Sequence, residues 1–301
     1  MRASTAPASD GAGALNTWRG QLLAPADPPE SAPSLAFRRN LTRLRRRANR
    51  ADVLFVSFPK SGRTWFRTGW AAYWCKVGGI EFELRPQGIV GMPKMYATHD
   101  RWAHLLDASA FNRLLGHGLI PPRAARDKPK ALLVRDPRDV VVSLYFHMTR
   151  RGRQNRRFKP DSLKTLVRHP DFGFAAICNI MNGWYHEWGG SDRFRMFRYE
   201  DARMAPMEVM RQWFGFCGVS VIDEAALAHA VAFSDFNAAR QREQSGAVKD
   251  RLIAARDLDD GDSFKARRGK VGGFTDYLDA DDIAFCNATM ARLHPVFGYG
   301  P

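Results

Sequence analysis

The stretch that most constrains the fold is a short apolar run that ends in a polar, glycine-containing loop. Residues 53–58 read Val-Leu-Phe-Val-Ser-Phe, residues 59–62 read Pro-Lys-Ser-Gly, and apolar residues recur at helical spacing over 65–73. This order predicts a buried strand, a tight loop and a helix. A loop in that position directs several backbone N–H groups and the positive end of the helix dipole toward one point, which favours a bound anion.

Three side chains make this expectation more specific. Lys60 adds a full positive charge to the loop, and Ser61 and Thr64 add hydroxyl donors. Donors of this kind, placed beside free backbone N–H groups, favour a phosphate. On this stretch alone, an ordinary strand-to-helix turn with a surface lysine is the alternative.

The composition agrees with an anionic ligand. The chain has 301 residues, 45% of them hydrophobic, and a formal net charge of +15. A chain of this length buries one sizeable core, so we expect a single α/β domain. The charge predicts attraction to nucleotides, to sulfated or phosphorylated molecules, to nucleic acid or to an acidic membrane. The four cysteines are widely spaced, which indicates neither a zinc site nor a disulfide framework and favours a reducing, cytoplasmic compartment.

The N-terminal part has the composition of a tail. Residues 1–35 are rich in Ala, Pro, Ser and Gly and contain no sustained apolar run, so we expect disorder there, with no signal peptide or membrane span, and a single domain over 36–301. Within 37–47, three apolar residues share a helical face that arginines surround. Such a helix could lie on an anionic membrane; a solvated helix leading into the first strand is the other interpretation.

A second strand, turn and helix is predicted at 130–147. An apolar run precedes Arg135, Asp136 is a favourable N-cap, and Pro137 suits the first helical position. Ser143 lies eight positions after Arg135, about two helical turns along the chain. Both side chains could therefore reach one phosphate, although a serine bonded to its own helix backbone is the alternative.

A histidine follows a further short strand. Residues 77–93 contain four glycines and two prolines and are expected to be irregular, whereas 94–100 favour a short strand. The end of that strand would place His99 at the same edge of the sheet as the first loop. A lone histidine is equally consistent with a structural or surface position.

The remaining chain predicts a layered α/β architecture. Residues 161–190 and 203–232 have helical apolar spacing, interrupted at Pro170 and Pro206. Alternating strands and helices predict a central parallel sheet flanked by helices, which binds ligands at the carboxyl ends of its strands. The charged residues 238–264 are interpreted as a lid over the ligand or as a plain surface helix.

These motifs resemble those of sulfotransferases, the enzymes that use 3′-phosphoadenosine 5′-phosphosulfate (PAPS). The segment 59–65, Pro-Lys-Ser-Gly-Arg-Thr-Trp, resembles their Pro-Lys-Ser-Gly-Thr-Thr-Trp loop, and 135–143 resembles their second nucleotide motif. Residues 198–201 are similar to their Tyr-Glu-Asp segment, and 267–274 to their late Arg-Lys-Gly-x-x-Gly-Asp-Trp segment. The resemblance covers about residues 50–295 and implies a three-layer, P-loop-like fold.

The resemblance also implies a role for each matching residue. Those that would hold the 5′-phosphosulfate lie in the first loop: Lys60, Ser61, Gly62, Arg63 and Thr64, with Trp65 beside the adenine. Those that would bind the 3′-phosphate lie in the second motif and in the segment 267–274, named the late loop: Arg135, Ser143, Arg267, Arg268 and Gly269. Those expected at the adenine are Tyr199, Ser234 and Phe236. Thr98 and His99 match the Thr-His pair of the acceptor site, which makes His99 the expected base.

The chemistry follows from the residue types. Sulfuryl transfer moves an SO₃ group in line from a phosphate to a nucleophile, so negative charge grows on the bridging oxygen. Lys60 is suited to meet that charge, and a neutral His99 to take the proton of an acceptor hydroxyl. Cationic side chains hold the charge, so no metal is expected. The loop departs from the family at Arg63, where threonine is usual. Other candidate bases are Glu81, Glu83, Asp100 and His104.

Two other classes of protein fit part of the sequence. A P-loop kinase also has a glycine-containing loop after a strand, but the sequence contains no Gly-x-x-x-x-Gly-Lys-[Ser/Thr], and Lys60 precedes Gly62. A nucleic-acid-binding protein would fit the charge and the basic clusters at 38–50 and 150–159, by composition only.

We therefore expect a PAPS-dependent sulfotransferase that releases adenosine 3′,5′-bisphosphate (PAP). Its acceptor would be a hydroxyl on a glycan, a lipid headgroup or a small alcohol or phenol. We expect no nucleic-acid partner, and a cytoplasmic location with or without peripheral contact with an anionic membrane. The sequence does not indicate an oligomeric state.

Overall fold

Four short strands form the centre of the structure. They are β1 (Val53–Ser57), β2 (Met95–Thr98), β3 (Lys130–Val134) and β4 (Phe194–Arg198), paired in parallel in the order β2-β1-β3-β4. Every residue of β1 and β3 is buried, as expected for central strands of a sheet that is covered on both faces. Because all four strands run the same way, their carboxyl ends meet at one edge of the sheet.

The computed structural model describes residues 44–107, 113–114, 116, 118–151, 158–245, 250, 253–254 and 257–300. The predicted tail at 1–35 lies outside these residues, as do parts of the basic clusters at 38–50 and 150–159 and of the predicted lid at 238–264. Residues 44–50 are helical. In the described part of the chain, no helix is both long enough and apolar enough to cross a membrane.

Helices precede and follow the strands. In chain order they are α1 (Arg63–Val77), α2 (Arg101–Leu105), α3 (Pro122–Arg126), α4 (Pro137–Phe146), α5 (Leu163–Arg168), α6 (Phe174–Trp188), α7 (Tyr199–Met204), α8 (Pro206–Phe216), α9 (Glu224–Ser234), α10 (Phe236–Gln244) and α11 (Ala280–Met290). A π-helical turn spans His147–Arg151, and 3₁₀ turns span Gly261–Ser263, Gly273–Asp276 and Pro295–Phe297. As predicted, Asp136 caps α4 by accepting from the backbone N–H of Arg138.

Alternate residues of the strands pack into two hydrophobic layers. Leu54 and Val56 of β1 belong to a cluster with buried residues of α4, α5, α6 and α11. Val53 and Phe55 belong to a second cluster with α1, α8 and α9, in which Trp213 packs on Phe55 at a ring-centroid distance of 4.9 Å. The predicted three-layer α/β fold with a central parallel sheet is therefore confirmed.

The helical regions divide more often than predicted. Residues 161–190 form α5 and α6, which are separated around Pro170 as expected. Residues 203–232 are interrupted at Pro206 and also between α8 and α9. Gly218, in this second interruption, has a φ of 98°. Glycine adopts that left-handed conformation readily, and a helix cannot continue through it. The spacing of apolar residues did not indicate this interruption.

A buried carboxylate ties the end of β2 to α6. Asp100 is 3% exposed and accepts from Nε1 of Trp184 at 2.8 Å and from the backbone N–H of Ile120 at 2.7 Å. Burial raises the pKa of Asp100, and these hydrogen bonds oppose that rise. Because Asp100 directly follows His99, the interaction holds the backbone that positions the histidine.

Replacing Trp184 with phenylalanine should lower the free energy of unfolding by about 1–3 kcal/mol more than the same change at Trp188, because only Trp184 donates to a buried carboxylate. Both side chains lie in α6 and are buried, and Nε1 of Trp188 has no hydrogen-bond partner among the described residues. Urea unfolding followed by circular dichroism measures both losses. Equal losses would show that the hydrogen bond to Asp100 adds no stability.

Candidate functional site

A cavity of about 410 Å³ opens at the carboxyl edge of the sheet. Its wall includes the loop after β1, His99 after β2, Arg135 after β3 and Tyr199 after β4. The predicted site residues that line it are Lys60, Gly62, Arg63, Thr64, Trp65, His99, Arg135, Ser143, Tyr199, Ser234, Phe236, Arg267, Arg268 and Gly269. Ser61 is not in this wall; it is 1% exposed and lies within the loop. The volume is typical of a small-molecule site.

The loop after β1 is a tight, strained turn. Lys60 has a φ of 75°, unusual for a residue with a Cβ, and Gly62 has a φ of 98°. A Cβ added to Gly62 would lie 2.6 Å from the ring of Tyr199, so only glycine fits this approach. Strain of this kind in a non-glycine residue is concentrated at ligand sites.

Lys60 is an uncompensated cation at the centre of the cavity wall. Its pKa is lowered well below the usual range, first by burial and then by the positive charges of Lys265, Arg151, Arg135 and Arg267. Its Nζ makes no hydrogen bond or ion pair with the described residues. A half-buried ammonium in this position is stabilised by an anion in the cavity.

Arg135 joins the first loop to the late loop. It donates to the carbonyl of Lys60 at 3.4 Å, to that of Lys270 at 2.9 Å and to Oδ2 of Asp139 at 3.2 Å. Its guanidinium carbon lies 4.4 Å from the centroid of the Tyr199 ring. Its Nε is buried and has no partner among the described residues, which leaves it a donor for a ligand.

Asp139 fixes the late loop, and the sequence analysis missed it. Its carboxylate accepts from the backbone N–H groups of Gly272 at 3.0 Å and Phe274 at 2.9 Å, in addition to Arg135. The four-residue interval from Arg135, within one helical turn, was the available signal. The bonds to the late loop join residues more than 130 positions apart, which no local pattern shows.

The other residues predicted at the 3′-phosphate lie around this loop. The hydroxyl of Ser143 makes no hydrogen bond with the described residues, so the alternative of a bond to its own helix is not observed. Arg267 donates to the hydroxyl of Tyr277 at 2.6 Å and stacks over the ring of Phe146 at 4.0 Å. Arg268 forms an ion pair with Asp276 at 2.9 Å.

The residues predicted at the adenine form an aromatic wall. The rings of Trp65 and Tyr199 meet edge to face, with centroids 5.6 Å apart. The hydroxyl of Tyr199 donates to the carbonyl of Gly269 at 3.3 Å. A Cβ added to Gly269 would lie 2.5 Å from the ring of Phe236, so backbone and ring are in close contact. Ser234 also lines the cavity at this wall.

His99 is held in one tautomer. Its Nδ1 lies 2.8 Å from the carbonyl oxygen of Ser57, which can only accept, so Nδ1 carries the proton. Its Nε2 lone pair then accepts from Nη2 of Arg63 at 2.6 Å. Burial and the charge of Arg63 lower the pKa of His99 well below its usual range, against the bond to Ser57. The imidazole is therefore neutral, as a base must be.

The alternative bases lie away from the cavity. Glu81 and Glu83 are exposed, Asp100 and His104 are buried, and none of the four lines the wall. Among the side chains weighed as bases, His99 is thus the one in position.

Among the cavity residues that the sequence analysis missed are His147 and Lys265. His147 lies one helical turn after Ser143, and burial together with the charge of Lys60 lowers its pKa to about 3. Lys265 has a pKa lowered to about 8 by burial, Arg151 and Arg63. The helical interval from Ser143 was a usable signal for His147, whereas Lys265 lies in an irregular segment and had none.

Comparisons with known proteins agree on one family. The family model described as the sulfotransferase domain matches residues 50–294. Sulfotransferase 2A2 of Rattus norvegicus is 25% identical over 212 residues, 64% of this chain and 68% of that protein. Sulfotransferase 2B1 of Homo sapiens is 24% identical over 263 residues, 80% of this chain and 66% of that protein. The matched regions thus span about two thirds of these relatives.

Solved structures show the same fold. Mouse sulfotransferase SULT7A1 complexed with PAP has a TM-score of 0.59 at 18% identity, over 86% of this chain and 91% of that one. Retinol dehydratase in complex with androsterone and the inactive cofactor PAP has a TM-score of 0.54 at 16% identity, over 84% of each chain. Because the family model matches more than half of the sequence, the chain belongs to the sulfotransferase domain family.

Proposed function

We propose that this chain transfers the sulfuryl group of PAPS to a hydroxyl acceptor, with Lys60 at the leaving phosphate and His99 as the base. The proposal rests on one observation: the loop after β1, His99 and Arg135 follow three neighbouring parallel strands and line the same cavity. Family membership gives the reaction class, and the solved relatives are complexed with PAP.

The donor side of the cavity suits a nucleotide with two anionic ends. PAPS supplies the sulfuryl group. The N–H groups of the first loop, Lys60 and Thr64 would hold the 5′-phosphosulfate. The residues proposed for the 3′-phosphate are Arg135, Ser143, Arg267, Arg268 and Gly269, and those proposed for the adenine are Trp65, Tyr199, Ser234 and Phe236. The buried, unpartnered Nε of Arg135 supports this assignment, as do the positions of Lys60 and Ser143 in the cavity wall.

His99 would take the acceptor proton at Nε2. The bond from Nδ1 to the carbonyl of Ser57 keeps the Nε2 lone pair directed toward Arg63. An acceptor hydroxyl that replaces the N–H of Arg63 at this atom would donate its proton as its oxygen attacks sulfur. A positioned base of this kind contributes about 10²–10⁴-fold to the rate.

Transfer of labelled sulfate from PAPS to a panel of hydroxyl acceptors tests the proposal. Formation of a sulfated product together with PAP supports it. A chain that binds ATP in preference to PAP and transfers phosphate would support the kinase interpretation instead.

A cytoplasmic location with peripheral membrane contact is a further part of the proposal. Arg45, Arg46 and Arg47 are exposed on the helical segment at 44–50, which supports attraction to anionic lipid. Replacing the three with glutamate should abolish cosedimentation with phosphatidylserine vesicles at low salt. Cosedimentation unchanged by the substitutions would contradict this contact.

Alanine at Lys60 and at Arg135 should impair the enzyme in different ways. Lys60 meets charge that grows in the transition state, so Lys60→Ala should lower kcat by about 10²–10³-fold. Arg135 holds a phosphate throughout, so Arg135→Ala should weaken PAP binding by about 10- to 100-fold and affect kcat less. Steady-state kinetics and calorimetry with PAP separate the two effects. Wild-type affinity for PAP in both variants would contradict the assignment of the 3′-phosphate site.

The rate should depend on pH through His99. The deprotonated imidazole is the active form, so kcat/KM for PAPS rises with pH through the pKa of His99. Burial, Arg63, Lys265 and His147 lower that pKa well below 6.5, so the rise should lie on the acid side of that value. The pH profile of kcat/KM measures this directly.

His99→Ala should abolish the rise of kcat/KM with pH and leave the affinity for PAP nearly intact. Glu83→Gln is the matched control, because Glu83 is exposed and outside the cavity. If His99→Ala sulfated an alkyl alcohol at the wild-type rate while Glu83→Gln was inactive, the base would be a carboxylate.

A further inference from the structure

Arg63, the first residue of α1, lies beside the proposed base. Its Nη2 donates to His99 Nε2 at 2.6 Å, and its Nη1 is buried with no hydrogen-bond partner among the described residues. The guanidinium therefore lies beside the atom that takes the acceptor proton. One of its nitrogens is desolvated without compensation, which costs free energy that an anion would recover.

A second arginine lies one turn along the same helix. Arg67 follows Arg63 in α1 at the i+4 position, and both line the cavity. Two like charges at this spacing destabilise an isolated helix by about 0.2–0.5 kcal/mol. Neither arginine forms an ion pair with a carboxylate of the described residues. A negative charge between them would turn this repulsion into attraction.

A lysine from the opposite segment completes the group. Lys265 lines the cavity, and Glu243 offsets the lowering of its pKa only in part. The carboxylate of Glu243 accepts from the backbone N–H groups of Lys265 at 2.8 Å and Ala266 at 2.9 Å and forms no ion pair with the Lys265 ammonium. Burial and Arg67 lower the pKa of Arg63 to about 9. Burial and Arg85 lower that of Arg67, and Asp250 offsets this only in part.

We propose that the acceptor carries an anionic group close to its reacting hydroxyl, and that Arg63, with Arg67 and Lys265, binds that group. In the free protein the guanidinium of Arg63 occupies His99 Nε2. An anionic acceptor draws the guanidinium onto its own charge, which frees Nε2 to accept the hydroxyl proton. The proposal rests on the proposed function and specifies its acceptor as an acidic alcohol, whether carboxylate, sulfate or phosphate supplies the charge.

The proposed contacts of the donor PAPS do not explain why three cations lie together here. The phosphates of PAPS are assigned to the loop N–H groups, Lys60, Arg135 and the late-loop arginines; the resemblance also implies Arg63 at the phosphosulfate, but neither Arg67 nor Lys265. Arg67 lies a full helical turn from the loop, about 6 Å further along α1. If Arg63 instead bound the sulfuryl group of the donor, its loss would slow transfer to every acceptor by the same factor. The two possibilities therefore differ in the ratio of rates for charged and neutral acceptors.

The test compares 4-(hydroxymethyl)benzoate with 4-(hydroxymethyl)benzamide, which share the reacting hydroxymethyl group and differ in charge. Wild-type kcat/KM should be at least about 10-fold higher for the carboxylate, because only the carboxylate can form a charge-assisted contact with Arg63. Arg63→Met should lower the ratio of kcat/KM for the carboxylate to kcat/KM for the amide by about 10- to 100-fold. Arg63→Lys should restore part of the preference. 4-(Hydroxymethyl)phenyl phosphate and the corresponding sulfate identify the preferred anion.

Lys76→Met is the matched control, since Lys76 is an exposed cation of the same helix outside the cavity. It should leave the carboxylate-to-amide ratio unchanged. Calorimetry of both compounds with the PAP complex gives the same comparison without turnover, and circular dichroism checks that the variants fold. Two results would overturn the inference: equal kcat/KM and equal affinity for both compounds in the wild type, or an equal loss of kcat/KM for both compounds in Arg63→Met. Sulfate transfer to the amide would still support the proposed function in either case. Failure to bind PAP and to sulfate any acceptor would reject both.

Discussion

Parallel pairing of β1 with both β2 and β3 is the constraint on which the site depends. The register places Val56 opposite Thr98 and Ser57 opposite Leu133, so the three strands end almost level. The first loop, His99 and Arg135 then follow their strands into one cavity. A shift of one residue in either pairing would move the histidine or the arginine to the other face of the sheet, away from the loop. The two hydrophobic layers hold this register, because alternate strand residues belong to different layers.

The second determinant is positive charge that the protein does not neutralise. Burying a cation costs several kcal/mol unless it is paired. The nearby carboxylates are used for other purposes: Asp139 fixes the backbone of the late loop, and Glu243 fixes the segment that contains Lys265. Lys60, Arg63 and Lys265 consequently have lowered pKa values. An anionic ligand therefore stabilises the folded protein as well as filling the cavity, by an amount that grows with its concentration.

Much of this could be predicted from the sequence, and the missing parts share a cause. Both strand-loop-helix units and the parallel sheet follow from apolar runs and turn residues, and the family resemblance identified residues that the fold brings together. The resemblance implied that Arg63 lies at the phosphosulfate; the contact of its side chain with His99, which follows another strand, had no local signal. The bonds from Asp139 to the late loop, the break at Gly218 and the position of Lys265 likewise depend on contacts between distant segments. Local sequence patterns predict helices, strands and loops. Tertiary packing determines which residues a long side chain contacts.

The most direct test of the account is a calorimetric titration of the protein with PAP, 5′-AMP, ATP and a short DNA duplex under one set of salt conditions. The central claim is that the cavity recognises an adenine nucleotide through two separate phosphate sites. PAP should then bind about 10- to 100-fold more tightly than 5′-AMP, which has no 3′-phosphate, and more tightly than ATP or DNA. Equal affinities for PAP and 5′-AMP, or tighter binding of ATP or DNA, would contradict the account.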